Sequence, residues 1–182
     1  MEDLPIPISP CARTVVVCPT AEIRSAHCCN DIGGWGRGFV VALSKKWKEP
    51  EESYRAWYHN KECQGIGKIT PFELGEVQFV EINHFTQVAN LIGQHGVKFG
   101  ANGPPVRYEA IKTGFQNIKK HIQENMGING ASIHMPRIGC GLAGGNWGKI
   151  YEIIKEVFGD SDISVNVYTL PDEVDDYENL ED

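Results

Sequence analysis

His27, Asn30 and Asp31 fall within five residues of one another at the head of a glycine-rich stretch, HCCNDIGGWGRG (27–38). An imidazole, an amide and a carboxylate so spaced can position a water molecule or a sugar hydroxyl, with the imidazole taking the proton. The competing reading of His27 is a half-buried histidine satisfied by a backbone group, and spacing alone does not separate the two. Trp35, between Gly34 and Gly36, reads as an aromatic that covers a ligand. A second stretch, MPRIGCGLAGGNWG (135–148), carries Arg137 and places Cys140 between Gly139 and Gly141. Arg37 and Arg137 each read either as a phosphate contact or as a partner in a structural ion pair. A thiol beside a helix N-terminus can be nucleophilic. No histidine–asparagine set accompanies Cys140, so it reads rather as a small residue in a tight turn. Glycine allows tight bends and close approach to a ligand, and N–H groups at the start of a helix favour anions. Two such loops at one sheet edge could hold the two phosphates of a diphosphate, so a nucleotide-like ligand is expected. The first stretch contains neither GxxxxGK[ST] nor GxGxxG, which argues against ATP-type phosphoryl transfer.

The elements that must position these residues follow from periodicity. Strands are expected at 14–17 (TVVV), 22–29, 72–82 with a break at Gly75, 87–93, 132–135 and 163–170. Helices are expected at 39–47, from Pro50 with acids in the first turn, at 106–126 and at 147–158. In the third of these, Ala110, Ile111, Phe115, Ile118 and Ile122 make one apolar stripe. His134 lies mid-strand and reads as structural. Strand and helix alternate through the second half, which implies a mostly parallel sheet with helices on both faces. Ligands in such sheets bind outside the carboxyl ends of the strands, where both glycine loops fall.

A chain of 182 residues, 41% apolar and 23% charged, suits one globular domain. It has no apolar run of membrane-spanning length, and its first residues do not read as a signal peptide. The six cysteines show no CxxC spacing, so neither a zinc site nor a disulfide framework is expected; all read as reduced thiols of a cytoplasmic protein. Seven acids after Leu170, with no Lys or Arg among them, account for the whole formal net charge of −7. Residues 171–182 therefore read as an acidic, disordered tail.

At the two glycine stretches the chain resembles the macro domain, the ADP-ribose-binding α/β family, over roughly 15–170. AHCCNDIGGWGRGFVVALSKKW (26–47) is similar to members that process ADP-ribose-1″-phosphate and to the macro module of an ADP-ribose-activated chromatin remodeller. MPRIGCGLAGGNW (135–147), followed by a helix and VYTL (167–170), resembles the terminal ADP-ribose glycohydrolase subfamily. The resemblance implies a three-layer α-β-α fold with a mixed, mostly parallel central sheet. The domain would span 1–170, with an atypical N-terminal segment 1–21. Asn30, Gly36, Arg37 and Gly38 would line the distal ribose and diphosphate, and Gly34 and Trp35 are expected among the ligand-binding residues. Arg137, Ile138, Gly139, Cys140, Gly141, Leu142 and Ala143 would form the second phosphate loop, and Tyr168 and Leu170 would flank the adenine.

Departures from the family pattern sharpen the expectation. The subfamily's catalytic lysine aligns with Gln94 and its catalytic aspartate with Ala143, so lysine–aspartate chemistry is not expected. His27 matches a histidine implicated in the phosphatase-like relatives, which favours water attack assisted by His27 and Asp31. The acid that usually reads the adenine amino group has no counterpart from Pro10 to Ala21. One lost charged hydrogen bond costs ~1.5–3 kcal/mol, roughly 10- to 150-fold in affinity. The expected function is binding of ADP-ribose and hydrolysis of a 1″-linked derivative, as an ADP-ribose-1″-phosphate phosphatase or a mono-ADP-ribosyl or acyl hydrolase. The alternative is a non-catalytic reader of ADP-ribose or mono-ADP-ribosylated proteins. RNA or poly(ADP-ribose) binding is disfavoured by the acidic tail and the lack of a basic patch. No cofactor, metal or membrane partner is expected, and the protein is expected to be monomeric.

Overall fold

The computed structural model describes residues 8–9, 23–65, 68–83, 86–101, 103–125 and 131–169. The expected strand at 14–17, the segment lacking the adenine-reading acid, Leu170 and the acidic stretch 171–182 lie outside these residues. In chain order the elements are β1 (Ile8–Ser9), β2 (Ile23–Asn30), α1 (Phe39–Lys46), α2 (Glu49–Asn60), β3 (Glu62–Gln64), β4 (Ile69–Pro71), β5 (Val77–Asn83), β6 (Thr86–Gln94), α3 (Tyr108–Asn125), β7 (Ser132–Pro136), α4 (Trp147–Phe158) and β8 (Ser164–Tyr168). The main sheet runs β1-β8-β7-β2-β6-β5. Every pairing in it is parallel except β5 with β6. This is the mixed, mostly parallel α/β architecture that the alternation of elements implied.

Parallel strands need crossovers, and α3 and α4 supply them between β6, β7 and β8. Both pack on one face of the sheet. There Ile111, Phe115, Ile118 and Ile122 of α3 and Ile150 and Ile154 of α4 meet Ala26, Leu91, Ile133, Met135, Val165 and Val167. The apolar stripe expected for α3 is buried throughout. The opposite face carries a smaller cluster in which Tyr54 and Trp57 of α2 cover Cys29 and Ile92, flanked by Trp35, Cys63 and Phe72. Residues 88–93 of β6 are all buried, as a strand covered on both faces must be. No described helix is long and apolar enough to cross a membrane.

Three departures from the expected elements have local causes. The strand expected from residue 72 starts at Val77, because Gly75 takes φ 88° and donates its N–H to Ile92 O at 2.8 Å. The helix expected from 106 starts at Tyr108, because Val106 bridges to Gln94 and donates to Ala143 O at 3.2 Å. The β3–β4 hairpin has strands of three residues each, too short to show a period.

Helix α3 sits close on β6 because a glycine on each element makes room for a large side chain of the other. A β-carbon on Gly93 would overlap Ile111, and one on Gly114 would overlap Leu91. Alanine is the better helix former by about 1 kcal/mol. Overpacking of a dense core costs about 1–3 kcal/mol. Gly114→Ala is therefore expected to lower the urea midpoint despite the gain in helix propensity. Gly100→Ala, whose β-carbon meets nothing within 4 Å, should change stability little. A Gly114→Ala midpoint at or above the wild type would contradict this packing account.

Candidate functional site

Strands β8, β7, β2 and β6 are parallel neighbours, so their carboxyl ends open on one edge of the sheet. From β2 the chain enters a loop (31–38) that leads to α1, and from β7 a loop (137–146) that leads to α4. These are the two glycine stretches. They meet: a β-carbon on Gly38 would stand 3.6 Å from Leu142 Cδ1. Gly38 has φ 74° and caps α1, while Gly36 and Arg37 are exposed beside it.

The first loop is folded around Asn30. Its Oδ1 accepts from Gly34 N at 2.8 Å and Ile32 N at 3.1 Å, and its Nδ2 donates to Gly34 O at 2.6 Å. The Tyr54 hydroxyl donates to Asn30 O at 2.6 Å and also approaches Oδ1. Burial raises the pKa of that hydroxyl, which keeps it a donor. Asn30, expected as a ligand contact, is thus a buried template for the loop. Trp35, expected to cover a ligand, turns inward instead. Its ring packs on His27 and Tyr54, and its Nε1 donates to Ser44 Oγ at 2.8 Å. Ser44 in turn donates to Glu51, which Arg55 grips with two hydrogen bonds, and Arg55 also donates to Trp35 O. Gly33 completes the turn with φ 74° against the Tyr58 ring, a place no side chain could fill.

His27 does not reach the surface at the carboxyl edge. Alternation along β2 sends it under α1 and α2, where it is 1% exposed. Its Nε2 lies 2.6 Å from Asn90 Oδ1 and its Nδ1 3.7 Å from Cys29 Sγ. Asn90 Nδ2 donates to Pro50 O and Gln78 Oε1, so Asn90 Oδ1 must accept and His27 Nε2 carries the hydrogen. Both ring nitrogens are engaged, which does not fit the water-activating role expected of this residue. Burial pushes its pKa down to about 4. The same burial raises the Cys28 thiol to about 12 and Cys29 well above its usual value. Among the described residues, Cys28, Cys29, Cys63 and Cys140 are not in disulfides.

The second loop is held by its apolar residues. Ile138 and Ala143 are buried in the main core, so they anchor the loop rather than line it. Gly139 and Gly144 take positive φ, and Gly144 and Gly145 donate back to Gly141 O and Gly139 O at 2.9 and 2.8 Å. Cys140 is half-buried and its thiol lies 3.4 Å from Ile138 O. Gly141 and Leu142 are left exposed at the tip. The Arg137 guanidinium lies over the Trp147 ring at 5.8 Å. At the end of β8 the Tyr168 hydroxyl pairs with His134 Nδ1 at 2.5 Å, and the rings stack.

Asp31 follows the last residue of β2 at the carboxyl edge of the sheet, and it brings a partner. Its Oδ2 lies 2.6 Å from His95 Nδ1, and its Oδ1 accepts from Gly96 N at 2.8 Å. His95 was not singled out by the sequence; the available signal was its place directly after the buried strand β6. Gln94 donates to Gly96 O at 2.9 Å, which ties its side chain to the same turn. Among the described residues no group of His, Cys, Asp and Glu could hold a metal ion.

The His27 environment gives a pH signature. Its folded pKa lies below the ordinary value of 6.5, so the folded state disfavours the proton. The associated stability is present above pH 6.5 and is lost as pH falls towards 4, by about 3 kcal/mol in all. NMR titration should show His27 neutral at pH 5.5 with the hydrogen on Nε2. A His27 resonance titrating near 6.5 would contradict the buried network.

No protein-family model matches the chain. Among curated proteins, ADP-ribose glycohydrolase OARD1 from Bos taurus is 43% identical over 63 residues, 35% of this chain and 40% of that relative's length. The chain therefore spans less than half of that relative. Among solved structures, a protein of unknown function from Bacteroides thetaiotaomicron is 44% identical with a TM-score of 0.78, over 90% of this chain and 96% of its own. A macrodomain protein from Streptomyces coelicolor is 41% identical with a TM-score of 0.68, over 86% of this chain and 93% of its own. With that identity across nearly the whole of both chains, two glycine loops meeting at the carboxyl edge and a mostly parallel sheet beneath them, this chain belongs to the macrodomain family.

Proposed function

We propose that the chain binds ADP-ribose along the carboxyl edge of its sheet and hydrolyses a derivative linked at the 1″ position. The observation that carries this reading is the meeting of the two glycine loops, Gly38 against Leu142, with the Asp31 carboxylate at the base of the first loop. The diphosphate would lie between the loops, where exposed Gly36, Arg37, Gly141 and Leu142 border it. The adenine would lie towards Tyr168 at the end of β8, and the distal ribose towards Asp31 at the ends of β2 and β6. From β8 to β6 is three strand spacings, about 14 Å, a span suited to two ribose units joined by a diphosphate. The glycohydrolase relative supports the same chemistry by its name.

Lysine–aspartate catalysis has no support at the aligned positions. Gln94 is bound to Gly96 O, and Ala143 is 4% exposed within the core. Of the two residues expected to assist water attack, Asp31 follows β2 at the carboxyl edge and His27 is buried beneath it. The candidate substrates are ADP-ribose-1″-phosphate and ADP-ribosyl or acyl esters, free or on a protein.

The test is product release. The protein is incubated with ADP-ribose-1″-phosphate and with a peptide bearing an ADP-ribosyl-glutamate ester. Release of free ADP-ribose from at least one, above the uncatalysed rate, is expected. Binding of both without release would favour a non-catalytic reader and reject the hydrolase.

A further inference from the structure

We propose that His95, oriented by Asp31, is the catalytic base that takes the proton of the attacking water. The inference rests on the hydrolase reading above and adds to it a residue that neither glycine loop contains. Register brings the pair together: Asn30 of β2 is the partner of Gln94 of β6, so the next residue on each strand, Asp31 and His95, leaves the sheet side by side. Main-chain bonds fix both. Asp31 N donates to Gln94 O at 3.1 Å and His95 N donates to Pro105 O at 2.8 Å. The carboxylate accepts, so at 2.6 Å the hydrogen lies on His95 Nδ1, and Nε2 is the ring atom left to take a proton when the imidazole is neutral. The His95 side chain is 63% exposed while Asp31 is 19% exposed, so the carboxylate is sheltered behind the ring and the ring faces solvent.

This is the carboxylate–imidazole arrangement that fixes a tautomer and stabilises the imidazolium formed on proton transfer. The Gly96 N–H holds the other carboxylate oxygen, so Asp31 is fixed in the orientation that meets the ring. His27 makes the contrast, because both of its nitrogens are turned inward.

The step balances with water as the only co-reactant. The water oxygen bonds to C1″ as the bond from C1″ to the leaving oxygen breaks. The leaving group keeps the electron pair and departs as a carboxylate or, from a singly protonated 1″-phosphate, as hydrogen phosphate, and the water proton passes to His95 Nε2 and then to solvent. Such a base serves leaving groups that depart as anions. The favoured class is therefore 1″-O-acyl or 1″-phosphate derivatives, over nitrogen-linked ones whose departing atom needs a proton.

The experiment compares wild type, His95→Ala, Asp31→Asn and the double variant on the ADP-ribosyl-glutamate peptide and on ADP-ribose-1″-phosphate. ADP-ribose affinity is measured alongside, and His95→Ala is assayed with and without added imidazole. His95→Ala is expected to lose ~10²–10⁴-fold in kcat with affinity held within about twofold. Imidazole should restore part of the rate, and the double variant should be no slower than His95→Ala because the two residues act as a unit. Wild-type turnover with His95→Ala equally active overturns the assignment of His95 and leaves the hydrolase reading standing. A lost rate that imidazole does not rescue, together with equal loss of affinity, also overturns it, as a binding role. No turnover by the wild type on either substrate overturns both.

Discussion

The parallel pairing of β2 with β6 is the constraint on which the carboxyl edge depends. The two strands are matched from Ile23 with Thr86 to Asn30 with Gln94, and their chains leave the sheet together. Because β6 is buried on both faces, a register slip would send Asn90 into the apolar layer under α3 and Leu91 into the polar layer under α2. That penalty fixes which residue of each strand is last. The first loop, the Gln94 turn and the Asp31–His95 contact all inherit their places from it.

Under that edge lies a buried polar layer. His27, Asn90 and Gln78 are linked, and the chain of bonds ends on main-chain oxygens of α2, Pro50 O and Ser53 O. Unpaired polar groups in a core are costly, whereas satisfied ones specify a single arrangement. The layer therefore ties α2 to the sheet in one position. From α2, Tyr54 reaches up to Asn30 and Arg55 to Trp35, so the helix also sets the shape of the first loop. Core, helix and loop are one connected unit, and the exposed glycines at the loop tips are what remains for a ligand.

Much of this was legible in the chain. The period of α3 marked its buried stripe, the alternation of strands and helices gave a mostly parallel sheet, and the glycine stretches located the edge where the loops meet. Other features were not legible for identifiable reasons. Residue type marks His27 and Trp35 as chemical, but direction along a strand or loop decides where they point, and both point inward. Asn30 looks like a ligand contact by type, yet its amide is taken up by the turn it forms. His95 is the reverse case. Nothing near it in the chain is acidic, and its partner Asp31 is 64 positions away, so only the register of two strands brings them together. Ala143 reads as a lost catalytic position, and its burial shows a second role as a plug holding the loop to the core.

In the proposed function the two loops form one site for a diphosphate flanked by two ribose units. Calorimetric titration of the full chain with ADP-ribose, ADP and AMP tests it most directly. ADP-ribose is expected to bind at one site per chain, tighter than ADP, with AMP weakest, because each added unit reaches a further strand end of the same edge. Equal affinity for all three, or no heat with ADP-ribose, would contradict it.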